Sequence, residues 1–200
     1  MSDPQRIGLF GGTFDPVHYG HLRPAFEMAE VYALNALHLM PNHRPAHRDQ
    51  PTASTQQRIE MLELATESLP QLIVDPREAL RDEPSYTFDT LSELKAEQPQ
   101  AQLIFFMGLD AFSAFETWYR WEEVIELANL VIINRPNAVL SDFASDLLQS
   151  TPSIEMQSVT QLAISATDIR QRISAGKSVD FLVPERVKQY IVRHELYLTQ

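Results

Sequence analysis

Residues 7–21 read Ile7-Gly8-Leu9-Phe10-Gly11-Gly12-Thr13-Phe14-Asp15-Pro16-Val17-His18-Tyr19-Gly20-His21. The apolar run at 7–10 predicts a short buried strand, ended by Gly11-Gly12. Leu22, Ala25, Phe26 and Ala29 then recur at helical spacing and predict a helix over 21–34. A strand turning directly into a helix is the opening unit of a parallel α/β sheet. Its turn is where such sheets take ligands, because the strand's carboxyl end meets the helix N-terminus there.

The rest of the chain repeats that unit. Strands are predicted over 36–40, closed by Pro41, and over 72–74, 103–107, 130–133 and 154–159. Helices are predicted over 52–69 (with Ile59, Leu62 and Ala65 on one stripe), 86–97, 118–128, 142–149, 167–175 and 185–194. The strands are apolar throughout rather than alternating, as a sheet covered on both faces requires. The fold class is therefore α/β, doubly wound, with a mainly parallel sheet and C-terminal helices. With no internal repeat, low-complexity tract or composition break, a single domain over 1–200 is expected. The polar stretch 41–55 is the one long loop, and loops of that length are commonly functional.

Composition bounds the partners. Sixteen Lys and Arg against 27 Asp and Glu give a net charge of −11. So acidic a surface does not coat nucleic acid, and any bound phosphate needs local positive charge. The absence of cysteine removes disulfides, thiolate metal sites and cysteine nucleophiles. No apolar run reaches the ~18 residues of a membrane span, and the N-terminus has no signal-peptide pattern, so the cytoplasm is the expected location. The acidic surface gives no clear patch from which to read an oligomeric state.

Four of the six glycines lie within the first 20 residues and five of the six histidines within the first 47, which directs attention to the first turn. That turn is neither GxxxxGK[ST] nor GxGxxG. It carries His18 and His21 three apart around Gly20, at a helix start, where both imidazoles can face one site beside free backbone N–H groups. Such a site suits a polyphosphate that gains charge during reaction. Two other readings stand beside it: purely structural histidines, and a zinc site with Asp15 as third ligand, for which no HExxH is present.

His18, Gly20 and His21 match the HxGH signature of a nucleotidyltransferase superfamily, and Ile164-Ser165-Ala166-Thr167-Asp168-Ile169-Arg170 resembles its second signature, ISxTxxR. Between them, Pro84-Ser85-Tyr86-Thr87, Gly108-Leu109-Asp110, Thr117-Trp118-Tyr119 and Asn134-Arg135-Pro136 resemble the bacterial nicotinate-nucleotide adenylyltransferases. The resemblance covers nearly the whole chain. It implies a Rossmann-like nucleotidyltransferase fold and attack by the phosphate of nicotinate mononucleotide on the α-phosphorus of ATP. Nicotinate adenine dinucleotide (deamido-NAD) and pyrophosphate would form, a step of NAD biosynthesis. The nucleophile is already an anion, so catalysis would be positioning and charge stabilisation, with Mg2+ carried on ATP and no dedicated protein metal site.

The resemblance also assigns residues. His18, His21 and Arg170 would be catalytic, with Arg170 reaching the β- and γ-phosphates. ATP would further contact Gly11, Gly12, Thr13, Phe14, Ser165 and Thr167; Ser165 and Thr167 also read as helix caps. Trp118 would stack on the pyridine ring, and Tyr119 and Thr87 would lie near the nicotinate carboxylate. Gly108 and Asp110 would sit near a ribose hydroxyl, and Arg135 near a phosphate. The stretch 41–48 resembles PNxxPPHK, departing at Ala46 and Arg48; Asn42, His47 and Arg48 join the mononucleotide set, and the roles of His43 and Arg44 stay open. Phe115 and Trp121 read as core, His38 and His194 as structural, and Arg172 and Lys177 as solvated charges. The rivals are a phosphopantetheine or nicotinamide-nucleotide adenylyltransferase, an inactive nucleotide-binding regulatory module, and a histidine-metal hydrolase. The TWY segment at 117–119 argues against the first.

Overall fold

A computed structural model describes residues 4–42, 51–81, 85–134 and 140–198. Its centre is one six-stranded sheet, β1 (Arg6–Gly12), β2 (Ala36–Pro41), β3 (Leu72–Val74), β4 (Gln102–Gly108), β5 (Asn129–Ile133) and β6 (Ile154–Gln157). The strand order is β3-β2-β1-β4-β5-β6, and every pairing is parallel. The helices are α1 (Tyr19–Val31), α2 (Thr55–Thr66), α3 (Thr87–Glu97), α4 (Leu109–Ser113), α5 (Trp121–Leu127), α6 (Asp142–Ser150), α7 (Ala166–Ser174) and α8 (Glu185–Arg193).

The chain winds outward from β1 in one direction and then, from β4, in the other. The crevice between the carboxyl ends of β1 and β4 is thus the switch point where open α/β sheets bind ligands. Those ends carry Gly11-Gly12 and Gly108.

Both faces of the sheet are covered. Ile104 and Phe106 of β4 and Val131 and Ile133 of β5 pack with α1, α7 and α8; Leu103, Phe105, Met107, Leu130 and Ile132 pack with α3, α4, α5 and α6. Neighbouring residues of a strand point to opposite faces, which is why β4 over Leu103–Met107 and β5 over Leu130–Ile133 are apolar at every position.

Three expectations shift. Gly11 and Gly12 do not end β1; they are its last two residues and pair with Met40 and Pro41. The helix expected over 118–128 begins only at Trp121. Before it, β4 runs into the short α4, a 3-10 turn at Phe115–Thr117 and an extended Trp118. Arg120, in the left-handed region at φ 54°, redirects the chain. Similarly α2 starts at Thr55, because Ser54 and Gln57 form a reciprocal capping box.

Candidate active site

The first turn and the start of α1 build the centre of the site. His18 is the N-cap of α1 in extended conformation, and its carbonyl accepts from the N–H groups of His21 (2.8 Å) and Leu22 (3.1 Å). The two imidazoles stack, with ring centroids 3.8 Å apart and planes 26° from parallel. Two cations would not stack so closely. Burial of His18, 4% exposed, pushes its pKa down to about 4, so its ring is neutral at neutral pH. A neutral imidazole has one N–H donor and one acceptor nitrogen. Nδ1 of His18 is buried with no hydrogen-bond partner among the described residues, a costly state that a ligand group would relieve.

Gly20 explains its own presence. A Cβ there would lie 2.8 Å from Nδ1 of His18 and 3.0 Å from the carbonyl oxygen of Ile164. Only glycine lets the histidine ring and the second signature close on one another. The helix N-terminus offers fewer free amides than its sequence suggests, since Tyr19 N–H donates to the Leu182 carbonyl at 3.0 Å.

The second signature forms the start of α7. Ser165 caps it, accepting from Asp168 N–H at 3.1 Å, and Ser165 and Thr167 are both exposed. Arg170, one turn in, reaches across to the first turn: Nη1 donates to the Asp15 carbonyl at 2.8 Å and Nη2 to Thr167 Oγ1 at 3.4 Å. Its Nε is buried and has no partner among the described residues. The fold therefore brings His18, His21, Ser165, Thr167 and Arg170 to one place, as their motifs imply.

The nearby Gly11, Gly12 and Thr13 are exposed or half-buried, whereas the Phe14 side chain is core. Phe14, at φ 51°, folds its ring under Gly12, where a Cβ would meet it at 2.8 Å, and against the His21 ring at 5.0 Å. It supports the site from below, leaving only its backbone for ligand.

Beneath the site lies a buried charge network that the sequence did not announce. The Asp15 carboxylate accepts from Thr52 N–H (2.7 Å), Ala53 N–H (3.1 Å) and the Tyr197 hydroxyl (2.7 Å). Arg58, 1% exposed, donates to the Thr13 carbonyl at 2.8 Å; burial lowers its pKa, and the facing Asp15 charge opposes that. Burial also raises the Tyr197 pKa, helped by Asp15, so the phenol stays protonated as a donor. With three donors already on its oxygens, Asp15 is a structural anion. Among the described residues no three His, Asp or Glu side chains gather to hold an ion.

The crevice past β4 carries the other predicted group. Gly108 caps α4, and the exposed Asp110 lies in its first turn. Trp118 is half-buried, packed against Phe115 (5.4 Å) and Phe105 (6.2 Å). Tyr119, half exposed, lies 4.7 Å from Tyr86, the residue preceding Thr87 at the start of α3. The fold thus joins the segments of Thr87 and Tyr119, which are far apart in sequence. Asn42 sits beside β1, its N–H on the Gly12 carbonyl at 3.0 Å. His43, Arg44, His47, Arg48 and Arg135 lie outside the described residues. Phe115 is fully buried, and Trp121 packs on it and on Phe143, so both are core. His38 bonds Asp75 at 2.8 Å and His194 stacks on Tyr190, so both are structural.

Sequence reasoning missed Arg58, Tyr197 and the structural use of Asp15. An arginine among the apolar positions of α2 (Ile59, Met61, Leu62) was the one available signal.

Comparison with known proteins agrees with this geometry. The profile of the cytidylyltransferase-like family matches residues 9–172. A protein of Pseudomonas aeruginosa named as a nicotinate-nucleotide adenylyltransferase is 47% identical, over 96% of this chain and 97% of its own length. One of Cellvibrio japonicus with the same name is 45% identical over 96% and 98%. Among solved structures, the Plasmodium falciparum nicotinic acid mononucleotide adenylyltransferase complexed with NaAD superposes with a TM-score of 0.80. It is 17% identical and covers 98% of both chains, a likeness of fold. No helix among the described residues is long and apolar enough to cross a membrane.

Proposed function

This chain belongs to the cytidylyltransferase-like family and, within it, to the nicotinate-nucleotide adenylyltransferases, and we propose on that premise that it joins ATP and nicotinate mononucleotide into nicotinate adenine dinucleotide. A phosphate oxygen of the mononucleotide attacks the α-phosphorus of ATP. The bond from that phosphorus to the α,β-bridging oxygen breaks, and pyrophosphate leaves. The observation that carries this reading is the meeting of the two signatures. Arg170 is bonded to the Asp15 carbonyl, and the Ile164 carbonyl lies against Gly20, beside the stacked His18–His21 pair.

Each residue then has a task. His18, His21 and Arg170 donate to the triphosphate and to the charge growing on the leaving pyrophosphate. Ser165, Thr167 and the backbone of Gly11 to Phe14 hold the rest of ATP. Trp118 stacks on the pyridine ring, Thr87 and Tyr119 border its carboxylate, and Gly108 and Asp110 border its ribose. Asn42, His47, Arg48 and Arg135 complete the mononucleotide set. Mg2+ enters as the partner of the ATP phosphates, which it neutralises.

The test is pyrophosphate release with ATP and, separately, nicotinate mononucleotide, nicotinamide mononucleotide and phosphopantetheine. Nicotinate mononucleotide should turn over fastest, EDTA should stop the reaction and excess Mg2+ should restore it. Equal or better turnover of phosphopantetheine would overturn the assignment, and undiminished activity in EDTA would remove the metal. In the same assay Trp118→Ala should chiefly raise KM for the pyridine nucleotide; an unchanged KM returns Trp118 to the core.

The His18 environment adds a pH signature. Its pKa is lowered to about 4 from 6.5 by desolvation, so between these values the free His18 ring stays neutral where an exposed histidine is protonated. A polyphosphate placed beside the ring stabilises the cation and raises that pKa again. Binding of ATP near pH 5.5 should therefore take up a proton, and should cease to do so above about pH 8. Calorimetry in buffers of different ionisation enthalpy measures this. No buffer dependence at pH 5.5 would separate His18 from the phosphates.

A further inference from the structure

The C-terminal segment is built to reach the catalytic turn. After α8, Glu195 (φ 51°) and Tyr197 (φ 63°) adopt left-handed backbone, which costs a non-glycine residue about 1 kcal/mol or more. Leu196 N–H bonds back to the Ile191 carbonyl at 3.0 Å, and the tail folds onto the body of the protein. The result is a phenol, 3% exposed, whose hydroxyl lies 2.7 Å from Oδ1 of Asp15, 182 positions away. Apolar packing alone would be served by phenylalanine. The hydroxyl is there for the carboxylate.

That carboxylate lies between two guanidinium groups. Oδ2 of Asp15 is 3.9 Å from Nη1 of Arg170, too long for a hydrogen bond, while Nη1 is spent on the Asp15 carbonyl. Arg58 faces the same carboxylate from the buried side and holds the Thr13 carbonyl. The Asp15 oxygens are thus occupied by Tyr197, Thr52 and Ala53, and the Arg170 guanidinium is not drawn into a close pair.

We infer that Tyr197 is a positioning residue for the adenylyl-transfer site: its hydroxyl occupies Asp15 and so leaves the Arg170 guanidinium available to the ATP phosphates. Without the hydroxyl, Oδ1 has only the Ala53 N–H, the carboxylate is held less firmly in its present orientation, and Oδ2, already 3.9 Å from Nη1, gains by closing on Arg170. Arg170 then offers less charge to ATP, while the pyridine end is untouched. The inference rests on the adenylyltransferase reading for what Arg170 binds.

The experiment compares wild type, Tyr197→Phe and Leu196→Ala, using calorimetric titration with MgATP alone, steady-state kinetics with nicotinate mononucleotide, and thermal unfolding. Tyr197→Phe keeps the ring and removes one charge-assisted hydrogen bond. Its Kd for ATP is expected to rise about 10-fold, with KM for nicotinate mononucleotide changed by less than about twofold. Leu196→Ala cuts the tail's apolar packing but keeps the phenol; it should lower Tm and leave the ATP Kd at the wild-type value. An ATP Kd in Tyr197→Phe within about twofold of wild type would overturn the inference. So would losses of ATP affinity in the two variants that simply follow their losses of Tm. If wild type failed to turn over nicotinate mononucleotide but the Kd difference appeared, the reaction assignment would fall and the role of Tyr197 would stand.

Discussion

Alanine at His18 or at His21 is expected to lower kcat by about 100-fold or more, the usual cost of losing a preorganised donor to developing charge. In the proposed reaction the nucleophile is an anion that needs no base, so these rings would act as hydrogen-bond donors to the phosphates and not as a general base. Their stacking at 3.8 Å, and the burial of His18 under Gly20 and the Ile164 carbonyl, fix the donors before ATP arrives. A donor already aimed at the leaving pyrophosphate costs no reorganisation in the transition state. Steady-state kinetics at saturating substrates, with Tm measured alongside, checks this. Near-normal kcat in both variants would remove the pair from the chemistry and leave it a structural stack.

Asp15→Ala should have the largest effect on stability, a loss of about 3–5 kcal/mol, because it breaks a buried charge network from its centre. Arg58 and Arg170 would then both lose their shared anion, and the donors on Thr52, Ala53 and Tyr197 would be left unpaired. Asp15→Asn keeps the volume and one acceptor oxygen and should therefore lose less than alanine, but still part of the stability, since its amide nitrogen cannot accept from the donor it would face. Urea unfolding of the three proteins orders them. A loss below about 1 kcal/mol in Asp15→Ala would mean that solvent repays the missing contacts.

The local signals were legible because they depend on neighbours in sequence. The uniformly apolar runs at 103–107 and 130–133 gave strands within one residue of their observed bounds, since a two-sided sheet demands such runs wherever it lies. The stretch 117–121 was not legible. Its aromatic residues fit a helix, but Trp118 and Trp121 are sorted by what they pack against (Phe105 and Phe143), and these lie outside the stretch, on β4 and α6. The glycine pair misled for the opposite reason. Gly11 and Gly12 are extended in a sheet because β2 offers them partners, and single-residue tendency contains no partners.

In the site, the sequence by itself determined which of the proposed site residues sit together locally. His18, Gly20 and His21 are bound together by one helix start, and Ser165, Thr167 and Arg170 by another, so spacing places each set together, while the roles proposed for them come from the family resemblance. Only the tertiary structure decided that Asp15 is a structural anion, that Arg58 is buried beneath it, and that a tyrosine near the end of the chain occupies it. Those roles come from desolvation and from charges and hydrogen bonds that meet across sequence separations of up to 182 residues. A carboxylate has no fixed role until the fold sets which donors surround it and how much water it keeps.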